Sequence, residues 1–225
     1  MEPTIIYEDN HLLAINKPAG WLVQGDRTGD PTLTDWGKEY LKEKYAKPGA
    51  VFLTPAHRLD RPVSGAVLFA RTDKALSRLT ALFRDRAVQK TYLALVLEAP
   101  DQPTGTLHHY LWKDEQHNIV HISPRPSQNT KESITHYEWV GQFGQLHLLR
   151  VNPYTGRPHQ IRVQLAAMGC PILGDLKYGA PTPLSDGSIA LHSRSIELVH
   201  PVQLVPLLIE APLPDKSWWE VHDGR

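Results

Sequence analysis

The sequence predicts an α+β fold with a largely antiparallel sheet, and two observations carry that prediction. Short β-branched and apolar runs outnumber the stretches with helical periodicity. Most of these runs follow one another through short turns, as hairpin-linked strands do. The composition is that of an ordinary globular chain able to bury a core, 41% hydrophobic and 21% charged over 225 residues. That length suits a single domain spanning residues 1–225.

Taken in order, Ile5–Tyr7 and Leu12–Ile15 read as strands separated by an Asp9-Asn10 turn and closed by Lys17-Pro18-Ala19-Gly20. A Gly- and Asp-rich loop, Gln24 to Pro31, precedes a helix capped by Thr34, in which Trp36, Tyr40, Leu41 and Tyr45 fall near helical spacing. Gly37 is a poor helix former inside that stretch. Phe52–Thr54 and Ala66–Ala70 are strand-like and bracket a loop. Thr72 then caps a second helix whose stripe is Leu76, Leu79, Leu82 and Phe83, with Arg78, Arg84 and Arg86 off the stripe. Thr91–Glu98, Gly105–Trp112, Asn118–Ile122, Ile134–Val140 and Gln145–Asn152 are further strands. A third helix runs to Met168, with Pro158 in its first turn and Gly169 as its C-terminal cap. The polar loop Gly179–Ser188 leads to a closing hairpin, Leu191–Val199 and Leu204–Ile209, joined at His200-Pro201. The Trp218-Trp219 pair near the end closes the core in this reading.

Lys and Arg (24) balance Asp and Glu (24), which argues against a histone-like binder. The distribution is uneven. From His57 to Tyr92 there are eight basic and three acidic side chains; from Tyr178 onward there are three basic and six acidic. A basic middle and an acidic end fit a protein with one polyanion-facing side. One cysteine, Cys170 in the apolar stretch MGCPIL, excludes an internal disulfide and a multi-Cys zinc site and reads as a small buried hydrophobe. No repeated ligand spacing links the twelve histidines, so no metal is expected. No signal peptide and no membrane-length apolar run is visible, and a cytoplasmic location is expected. There is no GxGxxG or GxxxxGK loop, no HExxH and no G-x-S-x-G elbow.

The stretch His57-Arg58-Leu59-Asp60-Arg61-Pro62-Val63-Ser64-Gly65 carries the chemistry. It sets one carboxylate between two guanidiniums in a loop that Pro and Gly constrain. Neighbouring cations favour the ionised carboxylate, a nucleophile rather than an acid at neutral pH. Taken alone, an acid flanked by arginines reads first as a surface ion-pair loop.

It is not alone. HRLDRPVSG resembles the HRLDRxTSG signature of RluA-type RNA pseudouridine synthases, Lys90-Thr91-Tyr92 resembles their K-x-Y element, and Thr155-Gly156-Arg157-Pro158-His159-Gln160-Ile161-Arg162 resembles TGRxHQIR. The opening YEDNHLLAINKPAGWLV is similar to the family's first motif. The four occur in the family's order and cover about Ile5 to Tyr178, continuing to the strand around His192. Val63 departs from the commoner Thr and Pro158 from the usual Thr or Lys; neither position is assigned to the chemistry.

The resemblance implies the pseudouridine synthase catalytic fold, a mixed, largely antiparallel sheet flanked by helices, in the short RluA/TruC-like branch without an S4 RNA-binding domain. It implies Asp60 as the nucleophile, attacking ribose C1′ or the base, with Arg162 holding that carboxylate. Tyr92 and Ile161 would sandwich a uracil flipped out of its stack. Arg61 would enter the space the base leaves. His57, Arg58, Lys17 and Lys90, with Arg84 and Arg86, are the candidates for contact with the RNA. The reaction breaks the N-glycosidic bond and rejoins the uracil through C5, exchanging no electrons, so no cofactor is expected. The expected partner is structured RNA, tRNA before rRNA, with no membrane and no protein partner. A catalytically silent RNA-binding protein on the same fold is the alternative, and an altered Asp60, Tyr92 or Arg162 would mark it. An enzyme that cleaves the base outright would need a second nearby carboxylate, which HRLDRPVSG does not supply.

Overall fold

The computed structural model of the chain describes residues 2–26 and 28–220. In chain order the elements are β1 (Thr4–Glu8), β2 (Leu12–Lys17), α1 (Leu33–Lys44), β3 (Thr54–Pro55), β4 (Ser64–Ala70), α2 (Asp73–Arg84), β5 (Gln89–Val96), β6 (Thr104–Asp114), β7 (Ile119–Ser123), β8 (Lys131–Phe143), β9 (Leu146–Pro153), α3 (Gln160–Ala167), a 3-10 turn (Leu176–Tyr178), β10 (Leu191–Val199) and β11 (Pro206–Glu210). They divide into two compact units, Met1–Gln89 with Ser193–Pro214, and Lys90–His192 with Asp215–Arg225. Strands outnumber helices as the patterning predicts, and the fold is α+β.

In the first unit the strand order is β1-β2-β4-β10, with β3 on β4 and β11 on β10. The pairs β1/β2, β2/β4, β3/β4 and β10/β11 are all antiparallel. Leu12–Ile15 of β2 and Ala66–Ala70 of β4 are continuous apolar runs because both of their faces are covered. Leu12, Ala14, Ala66, Leu68 and Ala70 pack with Ala75 and Leu79 of α2, and with Ile196, Leu198 and Ile209 of the β10–β11 hairpin. The other face of β2 meets α1 at Gly37. A Cβ there would lie 2.6 Å from Leu53 Cδ2 and 3.2 Å from Ile15 Cδ1. The helix-weakening residue is therefore a packing requirement. Gly37→Ala is expected to cost about 1–3 kcal/mol by overpacking, despite a helix-propensity gain of about 1 kcal/mol. A urea midpoint unchanged or raised would remove the packing explanation.

Two helix starts differ from the sequence expectation. The N-cap of α1 is Thr32, whose Oγ1 accepts from Asp35 N at 3.1 Å and donates to Asp35 Oδ2 at 2.7 Å. Thr34 lies inside the first turn, donating to Val23 O. The chain enters the helix two residues early because Leu33 is fully buried and its amide bonds Leu22 O. The third helix begins at Gln160, not Pro158, because His159 stands in the left-handed region at φ 49°. At α2, Thr72 caps as predicted, accepting from Ala75 N. The strand expected at Phe52–Thr54 is the two-residue β3, and Phe52 is exposed.

In the second unit the order is β5-β9-β8-β6-β7, antiparallel throughout. Helix α3 lies on one face, its Val163 packed with Leu111 and Val120. Gly169, at φ +83°, ends the helix, and Cys170 behind it is buried and unpaired with another cysteine. Trp219 is buried edge-on to His192, with ring centroids 6.1 Å apart, which gives it the core-closing role; Trp218 is half-buried. Among the described residues no helix is long and apolar enough to cross a membrane.

Candidate active site

In the first unit, β3 and β4 pair (Thr54↔Ala70, Pro55↔Phe69), so the intervening HRLDRPVSG segment leaves and returns to one edge. Its tip is a tight turn in which Val63 N donates to Asp60 O at 3.1 Å. Asp60 is half-buried there, and Arg58 and Arg61 are exposed. His57 anchors the start of the loop. Its Nε2 accepts from Leu68 N at 3.1 Å and its ring stacks on Phe83 at 5.3 Å. That binding gives His57, which is half-buried, a loop-bracing role.

A second brace is Lys17, fully buried at the end of β2. Its Nζ donates to Pro18 O (3.1 Å), Trp21 O (2.9 Å) and Arg61 O (3.1 Å), which ties the KPAGW turn to the residue after Asp60. Gly20 N adds a bond to the same Arg61 carbonyl at 2.8 Å. Burial pushes the Lys17 ammonium down to about 7, against the pull of the Asp60 charge and with the push of Arg61. All three of its donors are used and no part of it reaches solvent. The expectation that Lys17 contacts RNA phosphate is corrected: its place is inside the loop's support. Arg61 turns back on the same turn, its Nε donating to Gly20 O at 3.0 Å and its Nη1 pairing with Asp30 at 2.8 Å. Arg84, exposed, pairs with Asp85, and Arg86 is exposed.

In the second unit, Tyr92 sits on β5 opposite Val151, 8% exposed. Lys90 lies two residues earlier on the same strand. Ile161 and Arg162 occupy the first turn of α3 and are both buried. No hydrogen bond from a cap side chain starts this helix. Instead, Gln160 Oε1 accepts from Arg157 N (2.9 Å) and Thr155 Oγ1 (2.8 Å), while its Nε2 donates to Ile134 O and Thr135 Oγ1. Gln164, one turn on, accepts from Thr135 Oγ1 and donates to Leu107 O, Ser133 O and His109 Nδ1. The two glutamines thus fasten the α3 backbone to β6 and β8.

The guanidinium of Arg162 forms a bidentate pair with Asp175, Nε to Oδ2 at 2.7 Å and Nη2 to Oδ1 at 2.8 Å. Both side chains are almost wholly out of solvent. The Tyr178 ring lies 5.1 Å from Arg162 Cζ, and its hydroxyl is shared by His159 Nδ1 (2.7 Å) and Val120 N (2.9 Å). Asp175, Tyr178, Gln160 and Gln164 escaped the sequence reading as functional supports. The available signal was the GDLKYG segment, an acid and a tyrosine bracketed by glycines at φ +87° and +96°.

The family model described as RNA pseudouridylate synthase matches residues 11–167, which takes in the Asp60 loop, β5 and α3. Ribosomal large subunit pseudouridine synthase C of Vibrio cholerae is 37% identical over 219 residues, covering 95% of this chain and 66% of that protein. Ribosomal large subunit pseudouridine synthase D of Xylella fastidiosa is 34% identical, with 94% and 66% covered. The chain thus spans about two thirds of the length of these relatives. Among solved structures, human RNA pseudouridylate synthase domain containing 4 superposes with a TM-score of 0.78 at 27% identity, covering 94% of this chain and 88% of that one. Sequence motifs, their placement on the Asp60 turn and the buried Arg162 helix, and the overall backbone therefore agree, and the chain belongs to the RNA pseudouridylate synthase family, enzymes that isomerise uridine in RNA.

Proposed function

We propose that this protein converts uridine to pseudouridine within a structured RNA, with Asp60 as the nucleophile. The observation that carries the reading is the Asp60 turn: an acid between two exposed arginines, held from behind by the saturated Lys17 ammonium. The target base leaves its stack and lies on Tyr92, with Ile161 on its other side. Asp60 forms a covalent bond to the substrate while the N1–C1′ bond breaks. The freed uracil turns in place, C5 bonds to C1′, the bond to Asp60 breaks and returns the free carboxylate, the C5 proton passes to water, and N1 gains a proton. Arg162 holds the Asp60 carboxylate through the reaction. Arg58 and Arg61 lie on the exposed rim and take RNA phosphates or the vacated stack.

The names of the similar proteins make large-subunit ribosomal RNA the first substrate to test. The expectation from sequence placed tRNA before rRNA. Both RNAs therefore enter the experiment. Transcripts of each, tritiated at uridine C5, are incubated with native protein and with Asp60→Ala. Release is expected from native protein with one transcript and is expected to fall by roughly 10⁴-fold or more in the variant. Native protein that binds both RNAs and releases tritium from neither would favour the silent binder.

A further inference from the structure

Two lysines of this chain are pushed down by burial, and they are built differently. Lys17, as described, satisfies three donors with three carbonyls at 2.9–3.1 Å. Lys90 Nζ has one acceptor among the described residues, Thr155 O, at a long 3.5 Å, and no carboxylate pairs with it. Its backbone is nonetheless fixed: Asn152 Nδ2 donates to Lys90 O at 3.1 Å and to Thr91 Oγ1 at 3.0 Å. The ammonium lies over the Thr155-Gly156 turn, where a Cβ on the exposed Gly156 would stand 3.7 Å from it. Burial alone depresses Lys90, to about 8, with no neighbouring charge supporting it. A held, half-buried cation with two donors left over is a site arranged for an anion that arrives from outside.

Its position says which anion. Lys90 and Tyr92 are two apart on β5, so their side chains leave the same face about 7 Å apart. That is the reach from a nucleobase to its own phosphate. We infer that Lys90 binds the phosphate of the nucleotide whose base lies on Tyr92, and so sets how far the flipped uridine enters. The inference rests on the proposed isomerase function, and it separates Lys90 from the exposed arginines, which would meet phosphates of the surrounding RNA.

The test measures binding of a synthetic stem-loop that spans the uridine identified by tritium release, across a salt series. Lys90→Gln is expected to weaken binding by roughly 10–100-fold and to reduce the slope of log affinity against log salt by about one. Lys90→Arg is expected to restore the slope. A second stem-loop carries a neutral methylphosphonate at the target nucleotide. It should bind native protein as weakly as the unmodified RNA binds Lys90→Gln, and should lose little more with the variant. A purely structural lysine would behave otherwise: Lys90→Gln would lower the urea midpoint and leave the salt slope alone, whereas a phosphate ligand leaves the midpoint unchanged or raised. Tritium release with equal slopes for native and Lys90→Gln would overturn the phosphate contact and leave the isomerase reading standing. A Lys90-dependent slope, with release from the stem-loop surviving Asp60→Ala, would overturn the Asp60 reading instead and leave the phosphate contact standing. If methylphosphonate and unmodified RNA bind native protein equally, Lys90 does not read this phosphate.

Discussion

Asp175→Asn is expected to lower folding stability by about 3–5 kcal/mol and to reduce tritium release well beyond the loss of folded protein. The variant keeps the shape of the side chain but removes the charge that answers Arg162. In the native protein both guanidinium bonds are short, 2.7 and 2.8 Å, and the two side chains are 6% and 1% exposed. Water cannot replace the carboxylate at such a depth, so the desolvation of the guanidinium is left with weaker compensation. The pair also fixes direction. A bidentate carboxylate holds the guanidinium plane, which determines where its remaining N–H groups point. If Arg162 orients Asp60 as proposed, a tilted plane lowers the rate even at temperatures where the variant is fully folded. Urea unfolding of native protein, Asp175→Asn, Arg162→Met and the double variant would give the coupling energy directly. A single-variant cost under about 1 kcal/mol, with activity intact, would show that the pair neither stabilises nor positions.

That pair marks the boundary of what the sequence made legible. Elements with a strong period or a local chemical signal were readable: the Thr72 cap, the α2 stripe, the Gly169 stop and the strand over Ala66–Ala70. Motif residues on those elements were readable with them, because HRLDRPVSG and TGRPHQIR are contiguous. What failed was tertiary. Lys17 looks like any surface lysine until the turns around Gly20 and Arg61 fold back and present three carbonyls to it. His57 next to Arg58 looks like part of a basic patch, and nothing local announces its contacts with Leu68 N and Phe83. The same holds for Pro158, which fits a helix start by its own φ but precedes a left-handed His159. Asp175 lies thirteen residues from Arg162, in a segment with no regular period, so nothing local announced the pairing.

Gly65→Ala is expected to abolish release, by more than 100-fold, and to cost about 3 kcal/mol or more in stability. Gly65 is the last residue of the HRLDRPVSG loop and the second of β4, and it faces Lys17 across the β2–β4 pair. Its φ of +115° already disfavours any L side chain. The larger obstacle is contact. A Cβ would stand 2.3 Å from Ser193 O, 2.6 Å from Ser193 N and 2.8 Å from Ser193 C. These are backbone atoms of β10, which no rotamer change can withdraw. Either β4 separates from β10 or the loop bearing Asp60 shifts along β4, and in both cases the Lys17–Arg61 brace is pulled out of register. Gly144→Ala provides the comparison, since Gly144 has φ +62° but open space where its Cβ would go. That substitution carries the backbone strain alone, about 1–2 kcal/mol, and is expected to leave release unchanged once corrected for folded protein. The excess cost at Gly65 therefore measures how closely the strand that follows the Asp60 loop must approach β10. Equal costs at the two glycines would mean that the approach is not a requirement of the site.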